Sequence, residues 1–195
     1  MINNDLAQTI SDISLGLFRK NFFSMYHGTI SAKTDNKHFV INTHDAIFDE
    51  ISIKSLCEVP LEENLSWQNA SIQSHIHSSI YKQFHEAKYI ISGLPPFTSS
   101  YSLKKENSII KPEDYFGALT FGEIQVYDPG DFKTWHKRSE LEITEHMRKN
   151  KNHIMIIRGV GMYGYDRDIM KLVRKIAILE NSCKLLSMKD SLNIK

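Results

Sequence analysis

Ile154-Met-Ile-Ile-Arg-Gly-Val-Gly-Met-Tyr-Gly-Tyr-Asp-Arg-Asp168 decides how the chain is read. An unbroken apolar run of four residues is followed by a glycine-broken turn and a second short apolar run. Period and punctuation together predict strand, tight turn, strand, and then a helix opened by Asp166 or Asp168. That helix carries Ile169, Leu172, Val173, Ile176, Leu179 and Cys183 on one face and basic residues on the other, so it packs along one stripe.

Upstream, Asn3 or Asn4 is placed to cap a first helix, because Asp5 follows and Leu6, Ile10, Ile13, Leu17 and Phe18 share a face. Gly28 marks the end region of that helix and opens Gly28–Lys33, read as a strand. Asp35-Asn36 turns into a second strand, His38–Ile41. Asn42–Asp45 is a polar loop, Ser52–Leu56 a short helical or irregular piece, and Cys57–Leu61 a third strand. Ser71–Glu86 reads as a helix with Ile72, Ile76, Ile80 and Phe84 inward. Tyr89–Ile91 is a short buried strand broken by Ser92–Pro96, since a proline pair cannot continue a central strand. Ser99–Leu103 is a short helix, Glu123–Tyr127 a strand stopped by Asp128-Pro-Gly130, and Leu141–Met147 a third long helix. Strands and helices alternate, with hairpins among the strands. One α/β domain over residues 1–195, with a largely antiparallel sheet, is expected.

The chain has 195 residues, 41% hydrophobic and 24% charged, enough for a substantial core. A formal net charge of +1 favours neither nucleic acid nor an anionic membrane as partner. No apolar stretch approaches the roughly 18 residues of a membrane span, and Met1–Leu6 has no basic region leading into an apolar core. Cys57 and Cys183 lie far apart without motif spacing and read as buried thiols rather than a disulfide or metal pair. The expectation is a cytoplasmic protein, with a polar and frayed end at Met188–Lys195.

Several stretches resemble the class II aldolase/adducin family in the family's own order, from about Leu6 to Leu186. Gly28-Thr-Ile-Ser-Ala-Lys33 resembles its Gly-Asn-Ile-Ser-Ala-Arg signature. Ser71-Ile-Gln-Ser-His-Ile-His-Ser-Ser-Ile-Tyr81 resembles its Ser-Ser-Glu helix with a His…Ile-Tyr ending. Tyr127-Asp-Pro-Gly130 matches its strand–turn, and Arg158-Gly-Val-Gly-Met-Tyr-Gly164 its His-Gly-(x)4-Gly turn before a long C-terminal helix. The resemblance implies a three-layer α/β/α fold around a mainly antiparallel sheet. It also implies a homo-oligomer, of which a cyclic tetramer is the common form among the family's enzymes.

The family's chemistry matches less well than its landmarks. Family enzymes hold a divalent metal, usually zinc, on a His-x-His turn and on the histidine of His-Gly, where it stabilises an enediolate. Ser92, Leu94 and Arg158 stand at those positions here. Leucine has no lone pair and arginine is a permanent cation, so no metal or other cofactor is expected. Gln73 stands where the family has its proton-transferring glutamate, and an amide cannot titrate. Of the phosphate-binding elements Gly28, Thr29 and Ser71 remain, while the Thr-Gly loop reads His44-Asp45. No intact catalytic residue is therefore expected. The ligand-binding candidates are Gly28, Thr29, His44, Asp45, Ser71, Gln73 and Arg158.

Two functions follow as expectations. One is a binding or assembly module without aldolase activity, taking a small phosphorylated or carboxylated ligand. The other is a sugar-phosphate aldolase or epimerase of altered, metal-independent chemistry using Arg158, His44, Asp45 or His77. Arg158 either supplies positive charge to a ligand or to Asp45, or fills the histidine's place and satisfies local carbonyls. His75, His77 and His85 near one helix suggest a relocated metal site, but a two-residue spacing aims His75 and His77 apart and favours packing. His153 reads as a surface residue, and Glu140, Glu142 and Glu145 with their basic neighbours as a solvated helix face. Trp67 and Trp135 read as packing anchors or interface residues, and Tyr163 and Tyr165 equally as core or pocket wall.

Overall fold

The computed structural model describes residues 2–192. Strands β7 (Ile154–Ile157) and β8 (Gly161–Asp166) form the expected hairpin, and α6 (Ile169–Ser191) follows with Asp168 as its N-cap. The Asp168 carboxylate accepts from the Met170 and Lys171 amides, satisfying helix donors that have no partner within the helix. Every residue of β7 is buried, as a strand covered on both faces requires.

Around this hairpin lies an eight-stranded sheet. It adds β1 (Thr29–Lys33), β2 (His38–Asn42), β3 (Leu56–Pro60), β4 (Tyr89–Gly93), β5 (Ile109–Ile110) and β6 (Ile124–Tyr127), in the order β3-β2-β1-β4-β8-β7-β6-β5. Every neighbouring pair is antiparallel except β6 and β7. That parallel pair follows from the connection, because α5 (Phe132–Asn150) carries the chain back over the sheet between them. Helices cover both faces, giving three α/β/α layers.

Period 2 divides β7 between the two cores. Ile154 and Ile156 join Leu172, Ile176 and Leu179 of α6 and Ile10 and Leu17 of α1 (Asn4–Arg19). Met155 and Ile157 join Ile76 and Ile80 of α2 (Ser74–Gln83) and Ile143 and Met147 of α5. Asn3 caps α1, its side chain accepting from the Asp5 and Leu6 amides.

Some boundaries differ from the sequence reading. The first helix ends at Arg19, well before Gly28, so the glycine opens β1 without closing a helix. Helix α2 begins at Ser74, and Ile72 stands outside it at 82% exposure, not on the inward face. β4 continues through Ser92 and Gly93 before the prolines end it, and Pro95-Pro96 starts α3 (Pro96–Leu103), where a missing N–H costs nothing. Helix α5 extends well beyond Leu141–Met147 on both sides. Helix α4 (Tyr115–Phe121), β5 and a 3-10 segment at Leu65–Asn69 were too short for periodicity to announce. Of the chain end read as frayed, residues up to Ser191 are helical, and 193–195 lie outside the described residues. Among the described residues no helix is long and apolar enough to cross a membrane.

Candidate functional site

Antiparallel register aligns Thr29 with Ser92 and Ser92 with Tyr163, so one row of polar side chains crosses β1, β4 and β8. Directly opposed residues project to the same face. Here that face carries α2, whose preceding segment Ser71–Gln73 lies over the row. Tyr26–Thr29, the loop after β2, Ser92–Leu94 and Val160 complete a cleft of about 200 Å³.

Two glycines allow the walls to come this close. Gly28 has φ +148°, and a Cβ there would lie 2.4 Å from the Phe23 ring. Gly161 has φ +125°, and a Cβ there would lie 2.4 Å from the Gly93 carbonyl oxygen, which leaves no room for a side chain between the hairpin and β4. The polar wall is tied to backbone. Buried Asn42 accepts from the Ile30 amide at 3.0 Å, and its carbonyl receives the Ser71 amide at 3.0 Å. The Ser71 hydroxyl accepts from the Gln73 amide at 3.3 Å and lies 3.4 Å from the Thr29 hydroxyl. The sequence placed Asn42 only in a polar loop, since its role depends on Ile30, twelve positions away.

Tyr163, read equally as core or wall, is the hinge of the site. Its hydroxyl donates to Gln73 Oε1 at 3.1 Å. Burial pushes its pKa up to about 12, against a lowering hydrogen bond from Ser92. An amide oxygen only accepts, so the Tyr163 proton is directed to Gln73.

The metal of the family's enzymes does not fit these residues. Zinc takes imidazole, thiolate or carboxylate donors. Ser92 offers only a neutral hydroxyl, Leu94 offers carbon at the cleft edge with 40% exposure, and Arg158 is not among the described residues that line the cleft. Its guanidinium instead donates to the Ser102, Lys104 and Asn107 carbonyls around the C-terminal end of α3. The Arg158–Asp45 pairing considered from sequence is thus corrected. The nearby carboxylate is Asp128, 3.4 Å from Nε, close enough for charge attraction although that N–H has no hydrogen-bond partner among the described residues. Asp45 faces a separate shallow depression with Glu50 and Lys54.

Of the remaining candidates, Gly28, Thr29, His44, Ser71 and Gln73 converge on the cleft. His44 also borders a larger open depression of about 760 Å³, with Glu63, Trp67 and His75. His27, in the segment before Gly28, lines the cleft and was not singled out from sequence. His75, His77 and His85 do not converge. His77 is fully buried, with Nδ1 2.7 Å from the Ser31 hydroxyl, and burial holds its pKa down near about 3. His85 is exposed beyond the end of α2. His153 is half-buried, stacked on Tyr165 at 4.6 Å, and so is not a free surface residue. Trp67 packs edge-on to Phe39 and donates to the Pro60 carbonyl. Burial raises the pKa of the free thiols, Cys57 to about 11 and Cys183 to about 12.

The family model described as Class II Aldolase and Adducin N-terminal domain matches residues 8–187. A protein of Methanocaldococcus jannaschii named L-fuculose phosphate aldolase is 22% identical over 161 residues, 81% of this chain and 82% of its own. The structure of L-fuculose-1-phosphate aldolase from Thermus thermophilus superposes with a TM-score of 0.86 at 20% identity, covering 98% of this chain and 97% of that one. A sugar-phosphate aldolase from Thermotoga maritima superposes with a TM-score of 0.77 at 14% identity, covering 98% and 97%. At these identities the structural likeness speaks for the fold.

Proposed function

The chain belongs to the class II aldolase and adducin family, and from that premise we propose that it binds a small phosphorylated or carboxylated ligand without metal-dependent carbon–carbon cleavage. What carries this reading is the set of groups at the family's reactive positions. Ser92, Leu94 and Arg158 stand in place of three histidines, with Arg158 engaged elsewhere in the fold, and Gln73 in place of the glutamate. Without a Lewis acid, charge developing on a substrate carbonyl would have to be met by hydrogen-bond donors alone, and Gln73 has no proton to exchange. Ligand binding asks less. Thr29 and Ser71 line the cleft, and among the described residues no carboxylate side chain does.

The second reading, a sugar-phosphate aldolase or epimerase of altered chemistry, draws its support from His27 and His44, ionisable side chains on the cleft wall. Names of relatives that act on sugar phosphates point the same way. Either form is read as a homo-oligomer, with a tetramer the first candidate for light-scattering mass measurement.

Metal analysis combined with a cleavage assay tests the proposal. The purified protein should hold no stoichiometric zinc and should not cleave L-fuculose 1-phosphate with or without added zinc. It should nevertheless melt at a higher temperature with phosphorylated or carboxylated sugars, because a ligand that binds only the folded state stabilises it, by about 2.7 kcal/mol at a hundredfold excess over Kd. Stoichiometric zinc would overturn the first reading. Cleavage without metal would establish the second.

A further inference from the structure

Gln73 is held in one orientation by a hydrogen bond from Tyr163. The Tyr163 hydroxyl donates to Gln73 Oε1 at 3.1 Å, a direction fixed because an amide oxygen only accepts. With the carbonyl end of the amide committed, the –NH2 end is the one left free on a side chain that lines the cleft. Among the described residues nothing accepts from Nε2, and it is not among the polar atoms buried without a partner, so it remains open to a ligand. An amide has one acceptor end and one two-proton donor end, and the tyrosine therefore decides which the ligand meets.

From this we propose that Gln73 is a specificity-determining residue and that the cleft selects a ligand ending in a carboxylate, a phosphorylated acid, over the corresponding alcohol. The inference rests on reading the cleft as a ligand site and adds which functional group that site prefers. Two further features agree with it. The neighbouring Thr29 and Ser71 hydroxyls can donate, and among the described residues no Asp or Glu side chain lines the wall to repel an anion. A neutral donor bonds a charged acceptor about twice as strongly as a neutral one. A glutamate at the same position would do the opposite, repelling a carboxylate and accepting from a hydroxyl.

Titration calorimetry with 2-phosphoglycolate and 2-hydroxyethyl phosphate isolates the effect, because the two differ only in ending as carboxylate or hydroxymethyl. The native protein should prefer phosphoglycolate on the order of fivefold to tenfold, the difference between charged and neutral hydrogen bonds. Gln73→Glu should invert the preference. It retains an oxygen to accept from Tyr163, and circular dichroism should show the fold unchanged. Tyr163→Phe should shrink the preference, because the amide is then free to turn either end outward. Equal binding of both probes by the native protein, or a preference untouched by Gln73→Glu, would overturn the inference while leaving the cleft a ligand site. If neither probe binds the native protein, the ligand-site reading itself fails and takes this inference with it.

Discussion

Arg158 illustrates how a residue's type and its environment answer different questions. Its type states that the position is not a metal ligand, since a guanidinium stays protonated and has no lone pair to offer. Its contacts state what it does instead. It is a largely buried cation that gathers the Ser102, Lys104 and Asn107 carbonyls where α3 ends and the chain turns away. A positive group beside the last carbonyls of a helix also suits the helix dipole. Arg158→His should therefore not regenerate a zinc site, because Leu94 has no donor and Ser92 offers only a neutral hydroxyl. The shorter imidazole cannot serve the same carbonyls, and stability should fall by about 1–3 kcal/mol. Urea unfolding and equilibrium dialysis against zinc measure the two effects. Stoichiometric zinc in the variant would mean that the local geometry is far more adaptable than these contacts allow.

At the scale of elements, α6 was the most legible part of the chain and α3 among the least. The apolar stripe of α6 runs from Ile169 to Leu186, about five turns, and Asp168 caps the helix from the adjacent position. Helix α3 is short and begins with two prolines, and its Pro95 cap position offers no side-chain acceptor. Its N-terminal donors are met from outside, by Glu180 in the middle of α6. That carboxylate accepts from the Phe97 amide, the Thr98 amide and the Thr98 hydroxyl, each at 2.8 Å. No local pattern announces a cap that lies more than eighty residues away. Glu180→Gln keeps the shape but loses the charge and one acceptor. It should cost about 1–3 kcal/mol, the range for a hydrogen bond to a charged group. Amide exchange should quicken at Phe97 and Thr98 before it does so in β7. Uniform acceleration throughout the molecule would show instead that α3 has no separate opening motion.

For the whole molecule, the most informative buried polar group is His77. It sits between α2 and the sheet, bonded to Ser31, whose hydroxyl also lies 2.7 Å from Tyr81. Burial first, and the neighbouring His75 second, lower its pKa from 6.5 to about 3. The unfolded chain therefore binds a proton that the native state refuses in the interval between those values. The stability this group contributes is fully present above about pH 6.5 and is lost progressively as pH falls toward 3. Urea unfolding across that range should give a steeper pH dependence for the native protein than for His77→Asn, which keeps a hydrogen-bonding group but cannot charge. Equal slopes would mean that His77 remains as easily protonated in the fold as out of it.

Strands and helices with a clear period followed from the sequence, because apolar spacing reports which face of an element is covered whatever covers it. The identities of Ser92, Leu94, Arg158 and Gln73 likewise limited the chemistry, since no arrangement in space gives leucine a lone pair or an amide a titrating proton. Tertiary structure decided the rest. Register set Thr29, Ser92 and Tyr163 in one row, turned Tyr163 into the group that orients Gln73, drew Asn42 into the cleft wall and left Asp45 outside it. Arg158 was directed to α3 by carbonyls more than fifty residues distant. Period and residue type are properties of one segment. A site is a relation among segments, and only the assembled sheet brings them within hydrogen-bonding distance.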